Sequence, residues 1–200
     1  MNILATVELP KLYPILLPLK AILDSQSTDG FTVVASRLDP FTNAEHDDAT
    51  HTSKEALLKL IEDGISHPYA MFKRVGMIDT ESSKEFTDKL IALFSSAFGI
   101  DVSLSGNFLY STGYYMAWHT NELSVNNWTS NIRIYVTHNT DDKSEFRYFK
   151  DGEYHVYKEP IGWSIKIFDC TKRFWHCVVG GEARHSFGFK LFGASRELLT

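Results

Sequence analysis

Cysteine is scarce in this chain of 200 residues: there are two, Cys170 and Cys177, too few for the disulfide framework of a small secreted domain. They flank Thr171 to His176 and are spaced to face each other across a hairpin, although two reduced, buried thiols are the simpler expectation. Basic residues are not in excess either. Lys and Arg number 20 against 25 Asp and Glu, for a net charge of −5 and a pI near 5.9. The basic stripe of a nucleic-acid binder is missing, and nucleic acid is not an expected partner. Long apolar runs are absent as well, since Tyr13 to Leu23 is broken by Pro14, Pro18 and Lys20. The first ten residues carry no basic segment ahead of their apolar ones. Neither a signal peptide nor a membrane span is expected, the chain reads as cytoplasmic, and the sequon at Asn127 is then without consequence. There is no internal repeat and no low-complexity segment.

What is present is a folded globule's composition, 44% apolar and 14% aromatic, of a length that suits one domain. Pro10, Pro14 and Pro18 predict an extended or turn-rich lead-in, with a short helix only from Leu19 to Leu23. Phe31 to Ser36 reads as a strand and Arg37 to His51 as a polar loop. Thr52-Ser-Lys-Glu55 is a capping-box pattern opening a helix that ends near Gly64, and Ser82 or Ser83 is placed to cap a second helix that closes at Gly99. Tyr69 to Ile78 between them reads as a strand. From Ile100 the apolar period changes from helical to two. Strands are expected at Val102–Ser105, Phe108–Trp118 with a bend at Gly113, Asn131–Thr137, Trp163–Phe168 and Arg184–Phe192, and the Asp151-Gly152 pair predicts a hairpin between Phe146–Phe149 and Tyr154–Tyr157. Helices ahead of a β-rich half make an α+β order: residues 1–99 supply supporting strands and helices, and 100–192 a β core.

The chemistry concentrates in that second half. Along a strand, residues two apart share a face, so His119 and Asn121 present an imidazole and an amide side by side. His176, from another strand, would complete a three-ligand cap that leaves positions open on a metal ion. The version of that cap with a carboxylate belongs to non-haem Fe(II) oxygenases. From about Gly106 to Phe192 the chain resembles the 2-oxoglutarate and Fe(II)-dependent dioxygenases, whose motif runs Tyr-x-x-Gly, His-x-Asp/Glu, a distal His and a following Arg or Lys. Tyr110 and Gly113 match the first element, His119 the proximal and His176 the distal histidine, and Arg184 the basic residue. The departure is Asn121, which stands at the carboxylate position.

That resemblance implies a double-stranded β-helix, or jelly-roll, with the N-terminal helices packed on one sheet. It implies Fe(II) held by His119, Asn121 and His176, and 2-oxoglutarate as cosubstrate. Arg184 would grip the far carboxylate of 2-oxoglutarate through a two-pronged pair, helped by Tyr110 and Ser186. The expected reaction is hydroxylation of a small molecule or a protein side chain; the competing reading is a cupin-like binding module or an altered family member with a weakened metal site. Glu122 to Ser130, beside the site, is a candidate substrate lid. Tyr115, Trp118, Trp128, Tyr135 and Trp175 either stack on a substrate at its mouth or fill the core. Arg133 is either a second carboxylate or substrate contact or a salt-bridged residue of the wall. The Arg184 to Lys190 ending faintly resembles that of the dioxygenases that repair alkylated bases. His46, His51, His67, His138 and His155 receive no role, and His185 points away from Arg184's face.

Overall fold

In the computed structural model the described residues are 2–5, 10–38, 51–65, 73–121, 132–170 and 173–191. Eleven strands among them are β1 (Asn2–Ala5), β2 (Val33–Leu38), β3 (Lys73–Ile78), β4 (Val102–Ser111), β5 (Tyr115–His119), β6 (Ile132–Asn139), β7 (Glu145–Lys150), β8 (Glu153–Lys158), β9 (Gly162–Asp169), β10 (Trp175–Val179) and β11 (Ala183–Leu191). They follow one hydrogen-bonded path, β1-β9-β6-β11-β4-β3-β5-β10-β7-β8, with β2 added on β3. The path changes partners at β3, where Gly76 and Met77 pair with β4 while Lys73 and Arg74 pair with β5. One group of strands (β1, β9, β6, β11, β4) thus continues into a second (β5, β10, β7, β8). Together with the helices this is a mixed, sheet-rich α+β fold.

Three α-helices precede or interrupt the strands. The lead-in departs from expectation: Pro10–Ile15 is a 3-10 turn, and α1 spans Leu16–Asp24. Pro18 is its third residue, where a backbone N–H has no intrahelical acceptor, so proline costs nothing there. α2 (Lys54–Glu62) is capped by Ser53, which accepts from the Ala56 N–H at 3.1 Å. The predicted Thr52 cap is spent elsewhere, its hydroxyl accepting from Arg147 at 3.2 Å. α3 (Glu81–Phe98) begins at Thr80, whose hydroxyl and that of Ser83 each accept from the other's backbone N–H. Gly99 ends α3 with φ 69°, a left-handed residue that suits glycine.

Strict alternation then decides what α3 covers. Ile132, Ile134 and Val136 of β6 and Phe187 and Phe189 of β11 form one apolar face, buried with Phe86, Leu90 and Phe94 of α3. Each such side chain contributes roughly 1.5–3 kcal/mol by leaving water. The intervening residues of both strands face the other way. At the far end, Lys150 pairs with Glu153 across Asp151 (φ 54°) and Gly152 (φ 84°), the doubly positive turn that an Asp-Gly pair predicts. Cys170 packs with Phe168 and Phe174, whereas Cys177 packs with Leu57, Trp118 and Trp175. Both are buried outside any disulfide, in separate clusters, so they do not face each other. Among the described residues no helix is long and apolar enough to cross a membrane.

Candidate active site

Between the two groups of strands lies a cavity of about 180 Å³. Its wall takes Tyr110 from β4, Arg133 and Tyr135 from β6, Arg184 and Ser186 from β11, and His119, Asn121 and His176 from around β5 and β10. Every site residue read from the sequence therefore borders one space. A bulge is part of the reason. His119 pairs with His176 but Met116 pairs with Val178, so β5 carries one residue more than β10 over that interval. The extra residue lets both Met116 and His119 point into the cavity, which unbroken alternation would forbid.

The two imidazoles lie directly across the strand pair, with ring centroids 4.2 Å apart. Each is anchored in the same way. Nδ1 of His119 is 2.8 Å from the Ala117 carbonyl and Nδ1 of His176 is 3.0 Å from that of Phe174. A carbonyl only accepts, so Nδ1 carries the proton in both rings and Nε2 carries the lone pair in the neutral form. Burial, then the neighbouring His119, pushes His176 well below the ordinary histidine range and keeps it neutral.

Asn121 follows β5 and places its amide 3.1 Å from Nε2 of His176 and 2.8 Å from the Tyr135 hydroxyl. The amide nitrogen faces both partners and donates to the Tyr135 hydroxyl; a half-turn exchanges the amide's two ends and puts Oδ1 in that place, accepting from the Tyr135 hydroxyl. Donors bound at about 2.1 Å in adjacent positions on one ion lie roughly 3 Å apart. The Asn121–His176 separation matches that spacing. The donor set of two imidazoles and an amide fits a divalent first-row metal, with the ion's charge left uncompensated by any of the three. Among the described residues no group of three or more His, Cys, Asp or Glu forms a metal cluster.

Tyr135 is held over Gly188, where a Cβ would come within 2.9 Å of its ring. Its hydroxyl pKa is raised by burial, so it stays neutral. Tyr115, Trp118 and Trp175 are almost fully buried and are absent from the cavity wall: the Trp118 indole donates to the Ser53 carbonyl at 2.7 Å, and Trp175 packs with Leu57. Those three fill core, and of the five aromatics only Tyr135 borders the cavity among the described residues. Trp128 and the expected lid, Glu122 to Ser130, lie outside the described residues.

The basic end of the cavity holds a group the sequence did not expose. Arg184 is 1% exposed, and its Nε and Nη2 both donate to Glu159, the latter at 3.1 Å. Lys166 makes an ion pair with the same carboxylate and donates to the Thr137 hydroxyl at 2.6 Å. All three charged residues are buried. Burial alone would raise the Glu159 pKa, but Arg184 and Lys166 outweigh it and hold the carboxyl at about 2, while burial draws Lys166 down to about 8. Two cations against one anion leave one positive charge over. The two-pronged grip expected of Arg184 is thus already given to Glu159, and Nη1 is the nitrogen without a hydrogen-bond partner among the described residues. The Tyr110 ring lies against the guanidinium, 4.9 Å from Cζ to centroid, and steadies it. In the sequence Glu159 opens Glu159-Pro-Ile-Gly162, a run with the residues of a turn and no sign of a buried charge. The one available signal was Lys166, a charge set between Ile165 and Ile167 in an otherwise apolar strand.

Comparison with protein families finds no match, and no curated protein matches the chain. Among solved structures, a prolyl-4-hydroxylase from Pseudomonas putida is similar at 17% identity and a TM-score of 0.44, over 87% of this chain and 98% of that one. An oxidoreductase of the 2OG-Fe(II) oxygenase family from Burkholderia pseudomallei is similar at 14% and 0.43, over 60% and 68%. A prolyl hydroxylase from Trichoplax adhaerens, in complex with a hypoxia inducible factor oxygen degradation domain peptide fragment, is similar at 11% and 0.47, over 94% of each chain.

Proposed function

We propose that this chain is a non-haem Fe(II) and 2-oxoglutarate-dependent oxygenase built on a double-stranded β-helix. The observation that carries the reading is one cavity with two Nδ1-anchored imidazoles paired across β5 and β10 and, bordering the same space, a buried guanidinium with one nitrogen unengaged among the described residues. Fe(II), with O2 and 2-oxoglutarate, would supply oxidation of a substrate C–H bond with release of CO2 and succinate. His119, His176 and the Asn121 amide oxygen would hold the ion. Tyr135 would fix the amide's orientation by donating to it. Arg184 would take one carboxylate oxygen of the dicarboxylate through Nη1, with Tyr110 and Ser186 beside it and the surplus charge of the Arg184–Glu159–Lys166 group favouring an anion there. The burial of Arg184 and His176 strengthens the contacts they make.

A second reading rests on Asn121. With no anionic ligand, the cavity would bind a dicarboxylate and a loosely held metal without oxidising anything. Anaerobic addition of Fe(II) and 2-oxoglutarate separates the two: a weak visible charge-transfer band, followed by succinate on admitting air, is the result for the oxygenase. A folded sample that gives neither is a binding module.

A further inference from the structure

Resting on the reading of Arg184 as the dicarboxylate's anchor, we infer that Glu159 and Lys166 are positioning residues that set how tightly this anchor holds a carboxylate. They act in opposite directions: Glu159 weakens the grip and Lys166 strengthens it. Neither is among the residues that line the cavity. Both are fully buried, Glu159 against the guanidinium and Lys166 against the Glu159 carboxylate, so their effect on a ligand passes through Arg184. The carboxylate is fixed in place by its own backbone. Glu159 follows β8, and its N–H donates to the Ser144 carbonyl at 3.0 Å, while the Pro160 carbonyl accepts from the Asn139 amide at 3.3 Å. Asn139 is directly opposite Arg184 across β6 and β11, which ties the turn to the strand pair it serves.

Glu159 takes Nε and Nη2 of Arg184 and leaves Nη1, which is buried with no hydrogen-bond partner among the described residues. A carboxylate arriving from the cavity therefore shares one guanidinium with an anion already seated on it, and gains less than it would from an unshared fork. Lys166 works against that. Its Nζ donates to the hydroxyls of Thr137 at 2.6 Å and Ser164 at 3.4 Å, which bring no counter-charge, and among the described residues Glu159 is the one carboxylate paired with it. With Glu159 held at about 2 and Lys166 at about 8, all three groups are charged at pH 7. Neutralising Glu159 leaves two cations beside the cavity, and neutralising Lys166 leaves a balanced pair. The interior magnifies the difference, because a buried charge is felt more strongly than one in water. A network that served stability alone would behave otherwise, since either loss would loosen Arg184 and weaken binding.

The test is calorimetric titration of the full chain at pH 7 and matched ionic strength. The ligands are 2-oxoglutarate and its 5-methyl ester with Fe(II) and without air, and glutarate and its monomethyl ester without metal. Glu159→Gln, which keeps the side chain's shape, should tighten 2-oxoglutarate about tenfold, and Lys166→Met should weaken it about tenfold, the effect of one unit charge on a nearby anion. The double variant Glu159→Gln/Lys166→Met carries the wild-type net charge and should return to within about threefold of the wild type. Neither single change should move the ester, uncharged at that end, by more than about twofold. Should Glu159→Gln not fold by itself, the double variant takes its place: it differs from Lys166→Met at Glu159 alone and should bind 2-oxoglutarate more tightly than Lys166→Met does. Both single variants shifting affinity the same way, neither shifting it, or acid and ester shifting alike, overturns the inference. Failure of the oxygenase reading shows separately, as a wild type that binds no 2-oxoglutarate with Fe(II). Glutarate against its ester then decides Glu159 and Lys166 by the same contrast, and a wild type that binds neither dicarboxylate overturns both.

Discussion

The two faces of β6 and β11 are made from the same strands and obey opposite rules. On one face Ile132, Ile134, Val136, Phe187 and Phe189 pack against α3, with His138 and His185 at the end of the same face. On the other, Arg133, Tyr135, Thr137, Arg184 and Ser186 border the cavity or its buried charges. The first face is bound by volume, and similar apolar residues could replace one another there at modest cost. The second is bound by pairing: Lys166, Glu159 and Arg184 are tolerable inside the protein only together. Stability and binding are thereby separated by one residue step along a strand.

The largest expected effect tests that separation. Glu159→Gln leaves two buried cations without a counter-charge and should cost about 3–5 kcal/mol in urea unfolding. Part of that loss should return when 2-oxoglutarate is added, because the freed guanidinium then has a carboxylate to bind. Phe187→Ala, on the helix side, should cost a comparable amount, about 3–5 kcal/mol. There the folded fraction should bind 2-oxoglutarate as the wild type does. Because a bound ligand stabilises any variant that keeps its affinity, the distinction rests on the difference: a gain from 2-oxoglutarate in Glu159→Gln no larger than that in Phe187→Ala would erase it.

Acid should attack the helix side next. His185 and His138 are a cross-strand pair, and His138 also packs on Trp163, with burial as the main force lowering both pKa values, His185 to about 4. The unfolded chain binds these protons near pH 6.5, more readily than the native state. Stability is therefore whole above that pH and falls as pH drops from 6.5 toward 4, by about 3 kcal/mol for His185 alone. His185→Phe should flatten that part of the curve, as read by chemical denaturation at pH 7.5 and 4.5.

Smaller in stability but decisive for chemistry, His176→Ala should weaken Fe(II) binding by about 100-fold or more with little change in melting temperature beyond the lost ring contacts. Asn121→Asp should tighten Fe(II) about tenfold by adding the missing negative charge; unchanged affinity on calorimetric titration would take Asn121 out of the metal's reach. The least effect is reserved for the thiols. Burial raises Cys170 to about 12 and Cys177 well above its usual value, so neither should react with a disulfide reagent at pH 8 until the protein unfolds.

Much of this was legible in the sequence where local chemistry governs. The Asp151-Gly152 turn, the Gly99 stop and the apolar alternation of β6 follow from backbone sterics and period. Of the residues matched to the motif, Tyr110, His119, His176 and Arg184 border one cavity and Gly113 does not. Caps were less readable, because Thr52 and Ser53, or Thr80 and Ser82, are equally able hydroxyls and the choice falls to whichever one a distant partner such as Arg147 does not claim. The aromatics left open between substrate contact and core resolved to core: Trp118 and Trp175 each adjoin a cavity histidine and take the opposite face by alternation, while the face of Tyr115 is reset by the bulge in β5, which has no sequence mark here.

The sequence by itself determined most of the elements, the alternating faces of β6 and the kind of donor at each site position, since these depend on neighbours a few residues away. Only the tertiary structure decided that Glu159 and Lys166 would close on Arg184, that Asn121 would sit against both Tyr135 and His176, and that Arg133 would be opposite Lys190. Those pairings join residues far apart in the chain, and the electrostatic cost of burying a charge is set by which partner arrives, a fact that no local pattern carries.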